Sequence, residues 1–191
     1  MIITERIITL CWLIFVIYWT ISGRSVKPTK EVGKKFSNAW LNAGRVFFVI
    51  LYFEIFKLIP IDPLTSSFIP YHPLLRSLSI LLVTIGLFIA ITARNNLAKN
   101  WSGNVEIKKD HELITTGLYS VVRNPIYTGI LSMCVGTFLF AGNVSSLIFL
   151  LIMTFFMLYK TKEEEKLLEK HFGEKYLSYK KKVKSLIPFI Y

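Results

Sequence analysis

Apolar residues in this chain come in long blocks separated by short polar ones, and the blocks have the length of a bilayer crossing. Ile7 to Ile21 is almost uninterrupted apolar sequence ending at Ser-Gly-Arg. It predicts a first transmembrane helix, since a span takes about 20 residues of helix. Glu5 beside Arg6 in place of a basic start, with no small-x-small site afterwards, argues against a secretory signal. A second span is predicted from Trp40 to Ile59 and a third from Leu74 to Ala93, closed by Arg94. Ile126–Ala141 and Val144–Tyr159 are shorter, 16 residues each. That is roughly 24 Å of helix against a hydrocarbon core of about 30 Å. They meet at Ala141-Gly142-Asn143, which predicts a tight antiparallel hairpin. Spans this short thin the bilayer locally or let polar flanks dip inward.

The polar segments complete the architecture. Nineteen of the 23 Lys and Arg fall in Arg24–Lys35, Arg94–Arg123 and Lys160–Lys184, whereas Pro60–Pro73 and Ala141–Asn143 contain none. Loops rich in Lys and Arg stay cytoplasmic, so five spans place the N-terminus outside and the C-terminus in the cytoplasm. Glu54 and Lys57 in the second span lie three apart on one helical face and can pair. Lys57 is also close enough to the span's end to snorkel. Beyond the fifth span, Lys162–Phe172 predicts a helix with Leu168 and Phe172 stacked at i,i+4, ended by Gly173. Glu174–Val183 carries a Tyr176, Tyr179, Val183 stripe opposite Lys180–Lys182. This pattern predicts an amphipathic helix lying against lipid headgroups and stopped by Pro188. The expected fold is all-α: a polytopic membrane protein of about five transmembrane helices with a cytoplasmic helical tail. Residues 1–93 would be the N-terminal spans and residues 94–191 a functional core.

Composition agrees with a membrane protein and removes other classes. Hydrophobic residues make up 53% of the 191, mean hydropathy is +0.50 and charged residues are only 18%, against about 25% in soluble domains. A net charge of +11 suits anionic headgroups. No interleaving of aromatic and basic residues marks a nucleic-acid groove, so no nucleic-acid partner is expected. Cys11 and Cys134 each sit inside an apolar run, and His72, His111 and His171 show no ligand spacing; no metal is expected. The Pro-Phe-Ile-Tyr ending is no prenylation signal.

The chemistry-bearing residues concentrate in the last half. Gly117-Leu-Tyr-Ser-Val-Val-Arg-Asn-Pro-Ile-Tyr-Thr-Gly129 is a polar, glycine-punctuated loop running into an apolar segment. Glu163-Glu164-Glu165 and His171-Phe-Gly-Glu-Lys-Tyr-Leu-Ser-Tyr-Lys-Lys-Lys-Val183 follow in order. The first block resembles the membrane methyltransferase signature Gly-x-Tyr-x-x-x-Arg-His-Pro-x-Tyr-x-Gly. With the later blocks and Ile187-Pro-Phe-Ile190, the region from about residue 94 to 191 is similar to the isoprenylcysteine carboxyl methyltransferases and their phospholipid methyltransferase relatives. The first two spans resemble nothing specific.

The resemblance implies S-adenosyl-L-methionine as cofactor and a lipid-borne or prenylated acceptor in the bilayer, first a carboxylate and second a phospholipid amine. It implies that Asn104, His111, Glu112, Leu113, Ile114, Tyr119, Asn124, Pro125, Ile126 and Tyr127 line the cofactor, with Glu164 closing it. Arg123 and Glu164 would be catalytic, and Lys160 would contact substrate. Two positions depart from the family pattern. Asn124 stands where His is usual, keeping a donor and an acceptor but losing a titratable group. Lys160 stands where Arg is usual, keeping the charge but losing the bidentate fork.

The residue types suit such chemistry. A sulfonium cation is stabilised by a carboxylate and by aromatic faces. In-line transfer to an ionised carboxylate needs alignment and electrostatics more than acid–base help. Other readings stay open on sequence alone. Taken singly, Arg123 is a snorkelling anchor, the Glu run a solvated helix start, Tyr127 an interfacial belt residue and His171 a surface residue. A reductase related to the membrane sterol reductases, or a non-catalytic lipid-binding relative, are the competing functions.

Overall fold

A computed structural model describes residues 2–22, 28–32, 66–102 and 105–188. The elements are α1 (Ile2–Ser22), β1 (Thr29–Val32), α2 (Pro73–Leu97), β2 (Glu106–Lys108), α3 (Pro125–Ala141), α4 (Val144–Phe172) and α5 (Glu174–Lys182), with single 3-10 turns at Ala98–Asn100 and Gly117–Ser120. The second predicted span, with Glu54 and Lys57, and the candidate Asn104 lie outside the described residues. Among the described residues, α1, α4 and the Pro73–Asn100 segment are long and apolar enough to cross a membrane, and α3 is a shorter apolar helix.

Helix boundaries follow local chemistry. Pro73 and Pro125 sit in the first turns of α2 and α3, where a missing N–H costs nothing and the fixed φ favours helix. Gly142 ends α3 in the left-handed region at φ 63, a conformation cheap only for glycine. Asn143 then opens α4 with a capping box to Ser146, its side chain accepting from the Ser146 N–H at 2.9 Å. The hairpin therefore turns where the sequence predicts. The fifth span does not stop at Tyr159: α4 continues unbroken to Phe172. Hydropathy falls after Tyr159, but Lys, Glu and Leu are all strong helix formers, so the backbone has no reason to break until Gly173 at φ 53.

Helices α2 and α3 pack backbone to backbone. A Cβ on Gly129 would lie 2.5 Å from the Gly86 carbonyl oxygen and 2.8 Å from the Ala90 nitrogen; one on Gly136 would lie 2.7 Å from the Ser79 carbonyl oxygen. Small residues are what let helices approach this closely where lipid supplies no hydrophobic drive. Polar side chains tie the layer together: Ser132 donates to the Leu82 carbonyl at 2.8 Å and Trp12 of α1 donates to Thr137 at 3.1 Å. From Trp12, rings of Phe15, Trp19 and Trp101 continue in contact, and the Arg94 guanidinium covers Trp101 at 4.4 Å. Gly129→Ala gains helix propensity of at most about 1 kcal/mol but forces α2 outward, an overpacking cost of about 1–3 kcal/mol. The clash is with backbone, which cannot rotate away, so overpacking wins. A lower melting temperature in detergent is the expected result; an unchanged one would refute the close packing.

The two ends of the bundle differ. At one end the segment before α2 meets the hairpin turn, with the Phe68 N–H donating to the Gly142 carbonyl at 2.8 Å. At the other, Arg94 donates to the Ser22 carbonyl at 2.7 Å, β1 pairs antiparallel with β2, and the tail docks. The β1–β2 pair is absent from the all-α expectation, since strands this short carry no periodicity to read. The tail also departs from expectation. Tyr176 and Tyr179 are 2% and 9% exposed and Leu186 joins the apolar core. The stripe of α5 therefore faces protein rather than headgroups, and Pro188 lies several residues beyond the helix end at Lys182.

Candidate functional site

The polar end is organised by the loop from Val105 to Asn124, folded over the exit of α4. Lys108 donates its backbone N–H to His111 Nδ1 at 3.2 Å, and the His111 ring meets Phe172 at 5.8 Å. The loop start is thus held beside the end of α4. The N–H groups of Glu112, Leu113, Ile114 and Thr115 make no backbone hydrogen bond among the described residues. Gly117, at φ 61, sits where a Cβ would be 2.5 Å from Asn96 Nδ2, so this turn against α2 requires glycine. Tyr119 follows, 6% exposed. Burial, then Glu164 and Tyr179, hold its phenol well above the usual range, so it remains a neutral donor.

Adjacent residues of a helix point about 100° apart, and the two central glutamates of α4 do different work. Glu164 accepts from the Tyr127 hydroxyl at 2.6 Å. Lys160, one turn earlier, lies 3.8 Å from Glu164 and 5.6 Å from the centre of the Tyr127 ring. Tyr119, Tyr127, Lys160 and Glu164 thus converge from the loop, α3 and α4. Glu165 turns the other way. Its Oε1 accepts from Arg123 Nη2 at 2.7 Å and Nε at 3.1 Å, from Ser185 Oγ at 3.1 Å and from Asn124 Nδ2 at 3.5 Å; its Oε2 meets Lys180 Nζ at 3.2 Å.

Arg123 also donates to the carbonyls of Lys180, at 3.2 Å, and Val183. Its guanidinium is therefore engaged by Glu165 and the tail. Asn124 spends its side-chain amide on Ser185 as well, 3.1 Å from Oγ. Of the other residues implied by the family pattern, Pro125 is fully buried and Ile126 is in the core, so both contribute position and backbone. Leu113 and Ile114 are half-buried, Glu112 exposed and His111 packed beneath Phe172. Sequence reasoning missed Glu165, Ser185, Lys180 and Thr128, whose hydroxyl donates to the Leu186 carbonyl at 2.7 Å. Only the Glu run signalled any of them, and it could not say which glutamate faces which way. Among the described residues, no three His, Cys, Asp or Glu are arranged to hold a metal.

Among the described residues, three helices long and apolar enough to cross a membrane, with a polar cluster of Glu164, Tyr127 and Lys160 at one end, define an integral membrane protein. Comparison with known proteins agrees. Residues 75–175, just over half of the chain, match the model of the phospholipid methyltransferase family, and the chain belongs to that family. It is 38% identical over 109 residues to the protein-S-isoprenylcysteine O-methyltransferase of Schizosaccharomyces pombe, covering 56% of this chain and 46% of that one. It is 33% identical over 114 residues to the Homo sapiens protein of the same name, covering 58% and 40%. The chain thus spans less than half the length of these two relatives. Its fold is similar to that of a eukaryotic intramembrane Ras methyltransferase, isoprenylcysteine carboxyl methyltransferase, with TM-score 0.54 and 24% identity, over 80% of this chain and 66% of that one.

Proposed function

We propose that this chain is an S-adenosyl-L-methionine-dependent methyltransferase that O-methylates the carboxylate of a lipid-linked, isoprenylcysteine-like acceptor, with residues 94–191 as its core. The observation that carries the reading is the meeting of Glu164, Tyr127 and Lys160, within electrostatic reach of the buried Tyr119. A carboxylate held by a tyrosine fits a sulfonium, and the Glu112–Thr115 N–H groups, which have no backbone acceptor among the described residues, fit the polar edges of the same molecule. When bound, S-adenosyl-L-methionine supplies the activated methyl group and a thioether leaving group. The chain's own residues do the rest. Glu164 offers negative charge to the cation, Tyr127 fixes the Glu164 rotamer, and Lys160 offers a positive charge to an incoming carboxylate. The acceptor is already ionised, so no base is needed, and the Asn124 that replaces His loses nothing the reaction requires. Arg123, engaged by Glu165 and tail carbonyls, acts through position rather than by touching the reacting atoms. Calorimetry of detergent-solubilised protein with S-adenosyl-L-methionine and with a reduced nicotinamide cofactor tests the class; binding of the nicotinamide alone would reject it.

The same reading places the polar end in the cytoplasm, because the basic segments collect there. Reporter fusions at Lys35, Asn104 and Lys184 should report one side and fusions at Ser66 and Asn143 the other. A glycosylated or periplasmically active fusion at Lys184 would overturn the orientation.

A further inference from the structure

The tail does more than follow the last span. Residues 183–186 lie alongside the loop before α3, with Val122 and Lys184 joined in an isolated parallel bridge. The Arg123 N–H donates to the Lys184 carbonyl at 2.8 Å and the Asn124 N–H to the Ser185 carbonyl at 3.0 Å. Leu186 anchors the far end in the core at 3% exposure, and its carbonyl takes the Thr128 hydroxyl. Tyr179, its phenol pushed up to about 12 chiefly by burial, donates to the Tyr119 carbonyl. The stretch from Tyr119 to Thr128, which carries Tyr119 and Tyr127, is thus gripped by the tail.

The grip centres on one buried carboxylate. Glu165 collects Arg123, Asn124, Ser185 and Lys180, and Lys180 also reaches Glu169. A carboxylate has about four acceptor sites, and Glu165 spends most of them within the chain, Oε1 on Arg123, Asn124 and Ser185 and Oε2 on Lys180. Glu164 and Glu165 share rigid helix backbone, so whatever fixes the loop to Glu165 fixes Tyr127 against Glu164.

We propose that residues 183–186 are a positioning strap for the cofactor site, with Glu165 and Ser185 as its positioning residues and Asn124 as its partner in the loop. Asn124 is then a strap residue and not a cofactor contact through its side chain. This inference rests on the methyltransferase reading. Its two tests are independent of each other.

Glu165→Gln leaves Arg123 without its counter-charge and risks the fold, so Ser185→Ala is the variant of choice. Removing one hydroxyl that donates to a carboxylate and accepts from an amide should weaken S-adenosylhomocysteine binding by roughly five- to tenfold. The KM for S-adenosyl-L-methionine should rise in step while kcat stays within about twofold, because no group at the reacting atoms is touched. Ser185→Thr, which keeps the hydroxyl, should restore parental binding. Asn124→Ala should give a similar loss, and the double variant should fall short of full additivity, since the two side chains share one hydrogen bond and the Glu165 carboxylate. Independently, amide exchange at Arg123, Asn124 and 183–186 without ligand should be faster in Ser185→Ala while the α2–α3 core stays protected. Parental affinity in Ser185→Ala, a fall in kcat at unchanged KM, or full additivity would overturn the strap. Absence of cofactor binding by the parent protein would instead reject the methyltransferase reading. The exchange comparison would still decide whether Ser185 holds the loop.

Discussion

Replacing Glu164 with Gln is expected to lower affinity for S-adenosyl-L-methionine by about 30- to 100-fold, with little loss of folded protein. Gln keeps a carbonyl oxygen, so the Tyr127 hydroxyl, 2.6 Å from Glu164, still has its acceptor and the local packing survives. What disappears is the negative charge, and an ion pair in a half-buried site is worth several times one in water. Lys160, 3.8 Å away, compounds the loss, because its ammonium would then face a sulfonium with nothing between them to neutralise it. The charge argument makes a sharper demand than affinity alone. S-adenosylhomocysteine is a neutral thioether at the same position, so Glu164→Gln should weaken it far less. Calorimetry with both ligands checks this; affinities within threefold of the parent for both would return Glu164 to the status of a solvated helix residue.

The second large effect concerns the acceptor. Lys160 lies on the same face of α4 as Glu164, 3.8 Å from it and over the Tyr127 ring. With a carboxylate acceptor, Lys160→Ala should cut turnover by about 10²-fold, as losses of electrostatic positioning commonly do. Cofactor affinity should hold or improve, since a positive neighbour is removed. Lys160→Arg should retain or raise activity by restoring the planar fork. With a phosphatidylethanolamine amine as acceptor the sign reverses, because Lys160 repels the protonated amine. Methyl transfer to a prenylcysteine analogue and to an aminophospholipid, measured on all three proteins, distinguishes the two. Faster aminophospholipid methylation by Lys160→Ala, with none on the prenylcysteine, would overturn the proposed acceptor.

Much of this fold is legible because its signals are local. Apolar run length gives α1 and α2, Gly142-Asn143 gives the hairpin, and Gly173 ends α4, each by a rule that needs no partner. What fails is anything that depends on what packs opposite. The Tyr176–Tyr179 stripe reveals that α5 has an apolar face, yet a lipid surface and a protein groove demand the same stripe. Glu164 and Glu165 are chemically identical, and only the phase of α4 against Arg123 separates their roles. Ser185 and Thr128 carry no pattern at all; their meaning comes from backbone carbonyls brought in by a segment about 60 residues distant. Arg123 shows the converse. The motif marks it as a catalytic candidate, whereas its guanidinium is turned towards Glu165 and the tail carbonyls.

The unbroken course of α4 has a physical consequence of its own. From Val144 to Glu164 a helix rises about 30 Å at 1.5 Å per residue, which is the thickness of the hydrocarbon layer. If α4 crosses the bilayer, as its length and composition allow, the turn at Gly142-Asn143 and the glutamates sit near opposite faces, joined by a stiff rod without a Pro or Gly hinge between them. A thicker or thinner bilayer cannot be absorbed by bending near the site. It is met by tilt of the rod or by local deformation of the lipid, and a tilt changes how deeply Glu164 is immersed relative to the lipid chains alongside it. On the methyltransferase reading, lipid thickness then becomes a gauge that sets how far an acceptor's polar head must climb to be reached.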